Sequence, residues 1–177
     1  MTTPSPLQRH IAGYLDHLLV ERGLAKNSMA AYRRDLFRYA EYLESRGITS
    51  FPEVTATHVS DFLVALRLGN SDHAALASSS AARAIIAVRG LHAFLVKEGV
   101  MATDPARSVK PPGTTKRLPK ALSFSEVEQL LAAVGVESLG DISVLMMRDQ
   151  ALLELLYGTG ARISELMNLN LEDVSMV

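Results

Sequence analysis

The chain has no cysteine and no tryptophan. Without cysteine there is no cystine framework, no thiolate nucleophile and no cysteine-based zinc site. Long apolar runs are also missing. The longest, such as Ala84 to Val88, are far too short to span a bilayer. The start, Met1-Thr2-Thr3-Pro4-Ser5-Pro6, lacks a basic region followed by an apolar core. There is no Walker loop and no Gly-rich dinucleotide fingerprint. These absences read as a soluble protein of a reducing cytoplasm, without membrane contact. The five histidines, His10, His17, His58, His73 and His92, show no metal-ligand spacing. They are predicted to be surface or half-buried side chains, and no metal or cofactor is expected.

What is present is ordinary globular composition: 48% hydrophobic and 21% charged over 177 residues. That length allows one domain or two small ones. The net charge of −1 hides a division. Residues 1–120 carry +6 and residues 121–177 carry −7. A basic first part beside an acidic second part suggests two modules, the first suited to a polyanion.

Apolar spacing predicts helices nearly throughout. Ser5-Pro6 starts the first, whose stripe is Ile11, Tyr14, Leu15, Leu18 and Leu19, and Gly23 stops it. Asn27-Ser28 is the expected cap of a second helix, with Tyr32, Leu36, Tyr39, Ala40 and Leu43 as its stripe and Gly47 at its end. A third helix begins near Thr57, carries Val59, Phe62, Leu63 and Leu66, and closes at Gly69-Asn70. Ser78-Ser79-Ser80 is either a linker or a helix start. Ala84, Val88, Leu91 and Leu95 follow at helical spacing up to Gly99, and a turn comes around Thr103-Asp104-Pro105. Four such helices with short connections suit an antiparallel bundle.

From Lys110 to Lys120 periodicity stops. Three prolines, a glycine and four basic residues deny helix and predict an extended, basic connection. The expected divisions are 1–108, 109–120 and 121–177. Beyond the connection, Ser123-Phe124-Ser125-Glu126 is a capping-box pattern followed by Val127, Leu130, Leu131 and Val134. A longer helix is expected from Ile142 to Tyr157, then a tight turn Gly158-Thr159-Gly160. A helix from Ala161 to Leu169 follows, and Leu171 to Val174 reads as a turn into a strand.

Two constellations carry chemistry. Arg162, in the first turn after the glycine turn, lies beside exposed helix N–H groups, a combination that favours a phosphate oxygen. Glu165, three residues on, shares its face and can hold the guanidinium. A helix cap with an ordinary surface Arg–Glu pair fits the same residues. The second helix carries Lys26, Arg33, Arg34 and Arg38 against Asp35, and the fourth carries Ser79, Arg83 and Arg89. Each reads as a solvated basic face or as a nucleic-acid contact. Two basic helices and a basic connection together favour nucleic acid.

Several stretches in order resemble the tyrosine site-specific recombinases of the phage integrase family. They are Glu21 to Leu24, Ala31 to Leu36, Glu41 to Leu43, Arg46-Gly47, Ala87 to His92, Asp104 to Ala106, Arg117 to Ser123, and above all Arg148 to Leu166. Within the family the resemblance is to the Xer group and its XerD type. It implies a mainly α fold. A SAM-like core-binding domain of four to five helices, 1–108, would clamp duplex DNA. A basic Pro-rich linker, 109–120, would lead to the truncated first part of a mostly helical catalytic domain, 121–177.

The resemblance further implies DNA strand cleavage and rejoining through a 3′-phosphotyrosyl bond without a cofactor, for chromosome dimer resolution at segregation. Arg162 would grip the scissile phosphate and Glu165 would support it. Lys26, Asn27, Ser28, Arg33, Arg34, Ser79, Arg83, Arg89, Lys116, Arg117 and Lys120 would contact DNA. The implied partners are the duplex recombination site, a XerC-type recombinase in a tetramer, and a DNA translocase as activator. The family's lysine, His-x-x-Arg pair, further His or Trp and nucleophilic tyrosine all follow the arginine segment. None of Tyr14, Tyr32, Tyr39, Tyr42 and Tyr157 matches that nucleophile. The polypeptide alone is therefore expected to bind duplex DNA but not to recombine it. A non-catalytic DNA-binding regulator and a helical protein-interaction module remain open alternatives.

Overall fold

The structure, a computed structural model, describes residues 4–113, 120–134 and 144–173. The chain divides into two compact units, Met1–Lys116 and Arg117–Val177.

The first unit holds four long helices. Helix α1, Pro6–Arg22, starts on a reciprocal cap: the Gln8 amide donates to Ser5 Oγ (3.2 Å) and the Ser5 amide to Gln8 Oε1 (3.1 Å). Leu7, Ile11, Tyr14, Leu15 and Leu18 are buried. Leu19, expected in that stripe, is exposed because it lies one position round from Leu18. Gly23 ends the helix at φ 55°, a left-handed conformation that favours glycine.

Helix α2, Lys26–Ser45, buries Leu36, Tyr39, Ala40 and Leu43, and Tyr32 stays half-buried. Helix α3, Ala56–Leu68, is capped by Thr55, whose Oγ1 accepts from the His58 amide while His58 Nδ1 takes the Thr55 amide. Its buried stripe is Val59, Phe62 and Leu66, with Leu63 only half-buried. Helix α4, Ser78–Lys97, contains the three serines in its first turn. By length and apolarity alone α4 could cross a membrane, but half of its apolar window is buried inside the unit. It packs on α1, α2 and α3 and is the central helix of the core. Met101, Ala106 and Val109 close one side of that core.

One histidine departs from expectation. His92 is fully buried, whereas a surface or half-buried place was predicted. Its Nε2 bonds Tyr39 Oη (3.0 Å), its Nδ1 faces Met101 Sδ (3.3 Å), and Phe51 packs edge-on against it. Those partners satisfy both ring nitrogens, which is the condition for burying them.

The second unit is described by itself. Helix α5, Phe124–Val134, starts on the expected capping box, with the Glu126 amide donating to Ser123 Oγ and Glu126 Oε2 accepting from the Ser123 amide (2.7 Å). Helix α6, Val144–Thr159, runs two residues past the predicted end, and Ile142 lies outside the described residues. Gly158 and Thr159 are helical, so only Gly160, at φ 66°, makes the turn. Helix α7 is Ile163–Leu166, far shorter than the predicted Ala161 to Leu169. Asn168 Nδ2 donates to Ser164 O (2.7 Å) and Asn170 bonds Asp173, giving the backbone an alternative to further helix. Leu171–Asp173 forms a 3-10 turn, and no strand occurs among the described residues. The mainly helical class read from the sequence holds.

Candidate nucleic-acid interface

Capping separates the helices of the first unit into two kinds. Helices α1 and α3 have side-chain caps, whereas α2 and α4 begin after Ala25 and Ala77 with no side-chain hydrogen bond at the cap. Alanine offers no acceptor, so the first amides of α2 and α4 keep their partial positive charge unanswered by a side chain. Asn27 and Ser28, predicted to cap α2, lie within its first turn and are exposed beside Lys26. Ser79 is exposed in the first turn of α4.

The arginines of α2 differ from one another. Arg34 is exposed. Arg33 is exposed too, with its guanidinium 5.9 Å from the Phe37 ring centre. Arg38 is half-buried and donates to Ala74 O (3.3 Å). Asp35 does not face these neighbours. It is buried, and its carboxylate accepts a fork from Arg83 on α4, Nε at 2.9 Å and Nη2 at 3.3 Å. That hydrogen bond pushes the Arg83 pKa further up.

The fork sets the start of α4 against the middle of α2. Between them runs a groove of about 450 Å³ lined by Arg34, Arg38 and Arg83, with Asp35, Glu41 and His73 also on its walls. His73 Nε2 stands 3.1 Å from Glu41 Oε2. Three guanidinium groups beside a bare helix start make a place for phosphate oxygens.

Arg89 is half-buried further along α4 and shares a shallow pocket with Asp104. Lys120 is exposed; Lys116 and Arg117 lie outside the described residues. Sequence reading placed Arg38 on the basic face it shares with Arg34 but assigned it no DNA contact, and it missed the bare caps. The signal for the caps was alanine at positions 25 and 77, where Ser, Thr, Asp or Asn usually stands. Among the described residues no group of three or more His, Asp or Glu is placed to hold a metal.

Arg162 stands in the second unit at the cap position of α7 rather than in its first turn, with extended backbone (φ −75°, ψ 146°). The turn before it is pinned by Thr159, whose Oγ1 accepts from the Ala161 amide (3.2 Å) and donates to Leu155 O (2.6 Å). Glu165 takes both the Arg162 amide (2.8 Å) and Nη1 (2.9 Å). These two bonds, the backbone one first, hold the Glu165 carboxyl below the usual range. The Arg162 side chain is 82% exposed, so its remaining N–H groups face solvent. A four-residue helix supplies little dipole, and Glu165 occupies the cap. The phosphate-binding capacity here belongs to the guanidinium, not to the helix start.

Residues 11–99 match the phage integrase N-terminal SAM-like domain, and residues 120–177 match the phage integrase family. The chain is 52% identical over 174 residues to tyrosine recombinase XerD of Mycobacterium leprae (strain TN), covering 97% of this chain and 55% of the relative. It is 45% identical over 162 residues to XerD of Corynebacterium glutamicum, covering 92% of this chain and 53% of that protein. It is 36% identical over 170 residues to tyrosine recombinase XerC of Roseiflexus castenholzii, covering 96% of this chain and 51% of that protein. The chain thus spans about half the length of the curated relatives it matches. The first matched region holds a helical unit whose α4 start borders an arginine groove, the second holds an exposed arginine braced by a glutamate, and the chain belongs to the phage integrase family.

Proposed function

We propose that this chain is the DNA-engaging portion of a Xer-type site-specific recombinase. Residues 1–108 clamp duplex DNA, 109–120 track its backbone as a basic connection, and 121–177 begin the catalytic domain. The observation that carries this reading is the α4 start, bare at Ala77, fixed by the Asp35–Arg83 fork beside Arg34 and Arg38. The first α4 amides have no capping side chain, and the groove that Leu76 and Arg83 border also carries Arg34 and Arg38, with Asp35 and Glu41 on its walls. Lys26, Asn27, Ser28, Arg33, Ser79, Arg89 and Lys120, with Lys116 and Arg117, extend the contact along the duplex. Arg83 serves first as the anchor of Asp35 and only then as a donor to DNA.

Arg162 takes the scissile phosphate. Attack on a phosphodiester builds negative charge on its non-bridging oxygens, and a preorganised guanidinium stabilises that charge more than the ground state. Glu165 fixes the guanidinium through Nη1 and leaves its other edge for the phosphate. In this family the nucleophile is a tyrosine. Here burial raises the pKa of Tyr14 and Tyr39, and that of Tyr42 is raised as well, by partial desolvation, so phenolate is disfavoured at all three. Tyr157 precedes the arginine and matches no family position. We infer that this polypeptide alone binds duplex DNA without recombining it. With the rest of such an enzyme it would act in the cytoplasm on chromosome dimers, with a XerC-type partner in a tetramer and a DNA translocase as activator.

A salt titration of duplex binding tests the clamp. The logarithm of affinity should fall with the logarithm of salt by about 0.9 per phosphate neutralised. Replacing Arg33, Arg34 and Arg89 together with Ala should lower that slope by up to about 2.7. Unchanged slope and affinity would sink the assignment. Arg83 is left out of this variant because its removal strands the buried Asp35 carboxylate and confounds binding with stability.

A further inference from the structure

The C-terminal halves of α1 and α4 enclose a second, smaller cavity of about 200 Å³, lined by Tyr14, His17, Arg22, Gly90, Phe94 and Lys97. None of these residues lines the α2–α4 groove. Tyr14 is only 5% exposed. Its hydroxyl sits over Gly90, in a notch that a Cβ would fill, because any side chain there would overlap the oxygen. That hydroxyl has no hydrogen-bond partner among the described residues. No sealed side-chain oxygen is left unpaired, so it reaches solvent in the cavity. Burial pushes the phenol pKa up to about 12, with Arg22 opposing, so the group is a neutral O–H donor near pH 7.

The walls are aromatic. The Tyr14 and Phe94 ring centres are 5.3 Å apart, and those of His17 and Phe94 are 4.9 Å apart. His17 Nδ1 is engaged by Glu21 at 3.1 Å. Arg22 and Lys97 stand exposed at the rim, in the last turns of their helices, with no ion pair among the described residues. Complementing the helix dipoles explains cations at those positions. It does not explain why the hydroxyl of a largely buried tyrosine reaches this cavity with no protein partner among the described residues.

We propose that this cavity docks the carboxylate of an acidic peptide, an Asp or Glu side chain flanked by apolar residues on a partner protein. One carboxylate has two oxygens to receive the Tyr14 hydroxyl and the Arg22 fork, with Lys97 balancing the charge. The aromatic walls take the apolar neighbours.

The test uses the whole chain, isotope-labelled, with amide shifts of Gly90 and Phe94 followed by NMR. The probe is a blocked Leu-Glu-Leu peptide, with Leu-Gln-Leu as control. The Glu peptide should give saturable shifts in the millimolar range that weaken with salt, and the Gln peptide should give none. Tyr14→Phe keeps the ring packing and should weaken binding on the order of ten-fold, the effect of losing a hydrogen bond to a charged group. Arg22→Gln with Lys97→Gln, both exposed, should weaken it by at least as much. Equal response to the Gln peptide, absence of shifts, or full affinity in Tyr14→Phe would overturn the proposal. Displacement of the peptide by duplex DNA at these amides would overturn it too, by assigning the cavity to nucleic acid.

Discussion

His92 shows how one residue's chemistry reads differently once its partners are known. Its spacing from Val88, Leu91 and Leu95 is that of a core position, but its polarity argued for the surface. Tyr39 Oη, 53 positions away in sequence, makes burial possible. Burial lowers the His92 pKa from 6.5 to about 4, with Asp104 opposing. The unfolded chain therefore binds the proton more tightly. Stability is complete above the unfolded pKa and is lost as pH falls toward the folded one, by about 3 kcal/mol at most. Urea midpoints measured between pH 7 and pH 4, at the range set by those two values, should fall steeply in the wild type. His92→Gln should flatten that part of the curve, and an equally steep fall in the variant would exclude His92 as its source. Arg83 carries the same lesson. Its exposure along a basic face was legible, but its engagement by Asp35 across 48 positions was not.

At the scale of elements, local rules placed the helices well. Ser5, Thr55 and Ser123 cap where short-range hydrogen bonds can form, and Gly23, Gly47, Gly99 and Gly160 adopt positive φ at helix ends. The start of α2 departed from expectation because Asn27-Ser28 lie inside the first turn instead of before it; α4 does start at its three serines, but they too lie inside the first turn and leave Ala77 at the cap. Ala25→Asp and Ala77→Asp supply the missing acceptors. Each should stabilise its helix by about 0.5–2 kcal/mol and weaken duplex binding, since a carboxylate then competes with phosphate for the same amides. Thermal melts and anisotropy titrations on the same samples separate the two effects. Stabilisation with undiminished DNA affinity would remove the helix starts from the interface. The length of α7 was not legible from apolar spacing, because Asn168 competes for the Ser164 carbonyl that continued helix would need.

For the whole molecule, the two units differ in what they bury. The first has a continuous core of Leu, Ile, Val and aromatic side chains. In the second, Leu166 is the only buried residue among those described. Phe124, Val144, Met147, Tyr157, Ile163 and Met167 are exposed there, and on α6 Met146 is exposed while Leu152 and Leu156 are half-buried. Apolar surface of that extent favours self-association. Light scattering should show an apparent mass that rises with concentration for this polypeptide; a constant monomer mass at high concentration would rule that out.

Helix positions, the basic-then-acidic division and the Arg162–Glu165 pair came from the amino-acid order by itself, because periodicity, capping and i,i+3 contacts act within about one turn. The Asp35–Arg83 fork, the burial of His92 and the notch that receives Tyr14 at Gly90 were decided only by tertiary packing. Each joins residues far apart in the chain, and whether their side chains meet depends on how whole helices pack, which no local pattern encodes.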